Sequence, residues 1–96
     1  MQSFPHSDDY SHFIAELRSA REDAGLSQAA LAARLNVDRT LVTKAEGGVR
    51  RLDVIELRAW LGAIGIGILP FMSRLEARLE RNSTPADRRR PPSSSR

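Results

Sequence analysis

A chain of 96 residues with a net charge of +3 and no cysteine has room for one small domain, and neither a disulfide framework nor a cysteine zinc site is open to it. With aromatic residues at 5%, its core has to come from Leu, Ile, Val and Ala, which favours a small helical core that a partner subunit would reinforce. The uncharged, largely apolar stretch from Trp60 to Met72 contains Pro70 and three glycines and falls short of the ~20 apolar residues of a membrane span; no signal peptide is visible, so a cytoplasmic protein is expected.

Residues 1–8 are polar, include Pro5 and lack a periodic pattern, so they read as a flexible lead-in to a domain over 9–81. His6 and His12 lie in or beside this segment and read as ordinary polar residues rather than metal ligands. A first helix is predicted from Asp9 to Ala24, with Phe13, Ile14, Leu17, Ala20 and Ala24 at three- and four-residue spacings; Gly25 ends it. Ser27 then caps a second helix, Gln28 to Leu35, with Leu31, Ala32 and Leu35 on its apolar stripe. Asn36 suits the left-handed conformation that closes a helix, and Val37 is expected to fold inward. Asp38 caps a third helix from Arg39 to about Gly47. Its Val42 and Ala45 face the core, while Arg39, Thr40, Thr43 and Lys44 form a short basic outer face. Two short helices joined by a tight turn, with donors displayed on the second, make the helix-turn-helix arrangement that enters a DNA major groove.

Gly47 and Gly48 stop the third helix, and Val49-Arg50-Arg51-Leu52 makes a basic connection. Asp53 with Glu56 forms a capping box for a fourth helix to about Ile64, with Val54, Leu57, Trp60, Leu61 and Ile64 on its buried side. Gly65 to Gly67 breaks it, and Pro70 in the first turn starts a fifth helix carrying Phe71, Met72, Leu75 and Leu79 on one face. Residues 82–96, rich in Pro, Ser and Arg, read as a disordered basic tail. The predicted fold is all-α, a compact bundle of about five short helices around the helix-turn-helix. Charge is distributed unevenly: residues 1–23 carry −3, 24–52 carry +3, 53–81 are neutral and 82–96 carry +3. The basicity therefore sits on the motif and the tail, as expected for a nucleic-acid partner.

Residues from about Phe13 to Ile66 resemble the lambda-repressor-like (Xre/Cro) family of bacterial and phage transcription regulators. The resemblance rests on Ala24-Gly25-Leu26-Ser27-Gln28, Leu31-Ala32, Leu35-Asn36-Val37, Val42, Glu46, Gly48, Leu57 and Ile64-Gly65. It implies that Gln28 meets a DNA phosphate and that the exposed early positions of the third helix, Arg39, Thr40, Thr43 and Lys44, read bases. It further implies a partly buried salt bridge between Arg21 and Glu46, two charges that stand at otherwise packed positions. Ser27 beside Gln28, and Arg50 and Arg51 in the following loop, complete the expected DNA-contacting set. Some positions depart from the pattern: Asn36 replaces the commoner glycine, Leu41 stands where small polar residues are frequent, and Arg58 and Gly62 stand where the fourth helix is often apolar or better helix-forming. Leu41 could meet a thymine methyl or cover the core edge.

Each of these residues has a plainer reading. Gln28 could be an ordinary helix-start residue, and Arg39, Thr40, Thr43 and Lys44 ordinary surface residues; it is their joint spacing that favours DNA contact. Adjacent acids such as Asp8-Asp9 and Glu22-Asp23 point in different directions from a helix and cannot flank a bond as acid and base, and no nucleophile triad or phosphate-binding loop is present. Neither catalysis nor a cofactor is therefore expected. Two binding readings remain. The preferred one is a dimeric repressor that reads an inverted repeat in double-stranded DNA, with Phe71, Met72, Leu75, Leu79 and nearby Trp60 at the dimer interface. The alternative is an antitoxin-like module that binds a partner protein and autoregulates through the same motif.

Overall fold

Side-chain caps set three of the helix starts. In the computed structural model, which describes residues 7–82, Ser27 Oγ accepts the Ala30 N–H at 3.0 Å, Asp38 Oδ1 the Thr40 N–H at 2.8 Å and Asp53 Oδ1 the Glu56 N–H at 2.7 Å. Glu56 reaches back to the Asp53 N–H at 3.0 Å and closes the capping box. The elements are α1 Ser7–Asp23, α2 Gln28–Leu35, α3 Arg39–Glu46, α4 Val54–Ile64 and α5 Ile68–Arg81, and no strand occurs among the described residues. α1 begins before the predicted Asp9, so the boundary drawn after residue 8 falls inside a helix. Asn82, assigned to the tail, instead closes α5 by donating from Nδ2 to the Arg78 carbonyl at 2.8 Å. The segments expected to be flexible, residues 1–6 and the tail from residue 83, lie outside the described residues.

Tight reversals end the motif helices. Asn36 adopts φ 59°, and the Asn36 and Val37 N–H groups turn back to the Ala33 and Ala32 carbonyls at 3.2 and 3.0 Å. Gly48, at φ +81°, serves α3 in the same way, and any Cβ there would stand 3.1 Å from Ile14 Cδ1. The left-handed backbone favours glycine at this position, and the close approach of the Ile14 side chain leaves little room for a Cβ.

The core gathers Leu17 and Ala20 of α1, Leu31 and Ala32 of α2, Val42 and Ala45 of α3, Leu57, Trp60, Leu61 and Ile64 of α4, and Phe71 and Leu75 of α5. Phe71 is fully buried and meets Phe13 edge-on at 6.0 Å. α4 and α5 are bent by 106° across the intervening break, which folds α5 back onto α1. A polar clasp holds it there: buried Glu16 takes Arg74 Nε at 2.7 Å and Arg78 Nε at 3.0 Å. Arg34 joins α2 to α4 by donating to the Ala63 carbonyl at 3.0 Å. Among the described residues no single helix is long and apolar enough to cross a membrane.

Several sequence expectations are corrected by this packing. Phe71, Leu75 and Trp60, expected at a dimer interface, are consumed by the protomer's own core, because α5 lies against α1 instead of projecting from the bundle. Of that group Met72 is exposed and Leu79 half-buried. Val54 is 62% exposed, since the buried stripe of α4 begins one turn later at Leu57. Ala24 falls in the turn after α1 and is exposed, and Val37 is only partly covered, at 38% exposure. Arg58 and Gly62 both lie on the exposed side of α4, so the departure from the family pattern leaves the core undisturbed.

Candidate nucleic-acid interface

The interface is built on α3, whose eight residues divide cleanly. Val42, Ala45 and Glu46 are buried, whereas Arg39, Thr40, Thr43 and Lys44 are exposed. Leu41 is half-buried against the core, so it covers the core edge. Asp38, at the N-cap, is held below the usual carboxylate range by the Thr40 backbone N–H and then by the Thr40 hydroxyl. It thus stays ionised and keeps the first turn of α3 in place.

Beneath that face α3 is anchored by an ion pair. Arg21 Nε lies 2.7 Å from Glu46 Oε2 and Arg21 NH2 2.9 Å from Glu46 Oε1, a two-pronged contact with the glutamate side chain fully buried. Arg21 NH1 also donates to the Leu26 carbonyl at 2.7 Å, which ties in the turn before α2. The Glu46 hydrogen bond, opposed by burial, holds the Arg21 guanidinium above its ordinary value, so the guanidinium remains charged.

Gln28 is drawn into the same cluster. Its Nε2 donates to Glu46 Oε1 at 3.0 Å, and its Oε1 accepts the Thr43 hydroxyl at 2.9 Å. The first turn of α2 and the exposed face of α3 therefore share hydrogen bonds. Ser27 is exposed beside it, with its oxygen occupied by the Ala30 N–H.

The two loop arginines are engaged differently from expectation. Arg50 grips Glu56 through NH2 to Oε2 at 2.6 Å and NH1 to Oε1 at 3.1 Å, and it also donates to the Arg51 carbonyl at 2.9 Å. The Arg50 guanidinium, and after it the Asp53 N–H, lower the Glu56 carboxyl to about 2. Arg51 lies over the Tyr10 ring, 4.0 Å from its centroid. Both cations remain in the loop that follows α3, but each already has a partner within the protein.

Arg18 is a neighbour of the site that sequence reasoning missed. Half-exposed, it donates from NH2 to the Glu46 carbonyl at 3.2 Å and adds positive charge at the C-terminal end of α3. Its position three residues before Arg21 was the available signal, because that spacing places both on one side of α1.

Residues 12–66 match a family model described as "Helix-turn-helix domain". Among solved structures, the chain is similar to an XRE-family like protein from Pseudomonas syringae pv. tomato str. DC3000, at 40% identity and a TM-score of 0.71 over 76% of this chain and 89% of that one. It is also similar in fold to the restriction-modification controller protein C.Esp1396I, at 22% identity and a TM-score of 0.73, over 84% of this chain and all of that one. A point mutant of the same controller matches at 23% identity and a TM-score of 0.73, over 86% of this chain and all of that one. No curated protein matches significantly. With the motif, its exposed basic face and these likenesses in agreement, the chain belongs to the Xre-like helix-turn-helix family of DNA-binding transcription regulators.

Proposed function

We propose that the protein is a non-catalytic repressor that works as a homodimer, each protomer laying α3 in one half-site of an inverted repeat ~34 Å from the other. The observation that carries this reading is the division of α3: Arg39, Thr40, Thr43 and Lys44 are displayed on one side while the buried Arg21–Glu46 pair holds the other. Arg39 and Lys44 are long enough to reach a guanine edge. Gln28, Arg18 and the loop arginines suit phosphates. A dimer bound to its operator blocks transcription by occupancy.

The pairing surface we infer differs from the α5 stripe expected from sequence. Val54, Ile55, Leu69 and Met72 are the large apolar side chains most exposed around the starts of α4 and α5. Val54 and Met72 border one open hollow of about 420 Å³ together with Leu79. Apolar surface of this kind favours a partner, and a two-fold axis there would present both copies of it to each other.

Selection of bound DNA from a random pool tests the function, with an enriched inverted repeat as the expected result and an absence of enrichment as the refuting one. Sedimentation equilibrium tests the surface: Met72→Asp should convert dimer to monomer with the fold intact. A wild-type chain that is monomeric at tens of micromolar yet binds DNA normally would exclude the dimer.

A further inference from the structure

The hydrogen bonds around Glu46 restrict what two DNA-facing residues can offer. A carboxylate only accepts, so the Gln28 amide can approach Glu46 Oε1 at 3.0 Å only with its nitrogen. The reverse orientation would set two oxygens against each other. With the nitrogen thus placed, Gln28 Oε1 faces Thr43 and takes the proton of its hydroxyl at 2.9 Å. Arg21 fixes the carboxylate itself from the far side. The chain of contacts therefore runs from a buried ion pair out to the exposed face of α3.

We propose that Glu46 is a positioning residue for DNA contact: it fixes the Gln28 amide with one Nε2–H uncommitted and leaves Thr43 an acceptor only, so that Gln28 and Thr43 act as one unit. The proposal rests on the DNA-binding reading. A phosphate oxygen accepts and never donates, so the remaining Gln28 N–H matches it. Thr43 cannot donate to a phosphate while its proton serves Gln28. What it can present is lone pairs to a base amino group and a methyl group to a thymine. Base choice beside Thr43 thus depends on Gln28, a residue that need not touch a base.

Two measurements on the full chain test this. The first needs no DNA: the side-chain amide signals of Gln28 in an ¹⁵N-labelled sample should move in Thr43→Val, while the melting temperature stays put because Thr43 is exposed. Unmoved signals would refute the coupling whatever the protein binds. The second is affinity for the selected operator and its single-base variants. Gln28→Ala and Thr43→Val should each lose about tenfold, and the double variant about tenfold rather than a hundredfold. Gln28→Ala should also blur base choice at the same position as Thr43→Val. Losses that multiply, or base preferences left intact by Gln28→Ala, would overturn the proposal. A wild-type chain that selects no DNA would instead remove the function on which it rests.

Discussion

The α2–α3 and α4–α5 halves of this domain are fastened by different chemistry. α2 and α3 have eight residues each, too short to persist alone in water. They are held by directional contacts: the Ser27 and Asp38 caps, the left-handed Asn36, and the Arg21–Glu46 pair with Gln28 attached. α4 and α5 are held mainly by burial of Leu57, Trp60, Leu61, Phe71 and Leu75. Apolar contact stabilises without prescribing orientation closely, whereas a two-pronged ion pair prescribes it. In the proposed function α3 meets base edges in a fixed register, and it would gain from the second kind of fastening.

Substitutions in the two halves should separate these roles. The largest effect is expected at Phe71→Ala, where emptying a fully buried site should cost about 4 kcal/mol in urea unfolding, with loosening concentrated between α1 and α5. Glu46→Ala should follow at about 3 kcal/mol, because it strands Arg21 in a buried position. Hydrogen exchange should then quicken first in α3. If both variants loosen the domain uniformly, the two halves are one cooperative unit and the distinction fails.

Arg39→Ala leaves the fold alone, since the side chain is exposed. On the selected operator it should cost about 2 kcal/mol and relax base choice at one position per half-site. A uniform loss with base preferences intact would make Arg39 a phosphate contact instead.

The smallest effect concerns pH. The Glu56 carboxyl is lowered from an ordinary 4.5 to about 2 in the folded state, chiefly by Arg50. A depressed folded value means that the pair's stabilisation is fully present above 4.5 and disappears as pH falls through about 2. The difference in urea midpoint between wild type and Glu56→Gln should shrink across that window. A difference that persists below it would mean the carboxylate is not the source.

How much of this was legible beforehand depends on the range of the interaction. Ser27, Asp38 and the Asp53–Glu56 box act within three residues, so their pattern along the chain was sufficient to find the helix starts. The Glu16–Arg74–Arg78 clasp joins residues about sixty positions apart, and a glutamate between Phe13 and Leu17 shows no local sign of its partners. Arg50 and Arg51 read as free loop cations because nothing in Val49-Arg50-Arg51-Leu52 reveals that Glu56 and Tyr10 will be adjacent.

The sequence alone therefore determined the five helices, the turn between α2 and α3 and the polar composition of the α3 face, because caps, helical spacing and left-handed residues are short-range properties of the backbone. Tertiary structure decided where α5 lies. An amphipathic stripe states only that one side must be covered, and whether Phe71 meets a partner subunit or Phe13 of the same chain depends on the 106° bend after α4. It also decided that the Thr43 hydroxyl donates to Gln28, since a hydrogen bond between helices exists only once Arg21 has drawn Glu46, and α3 with it, against α1.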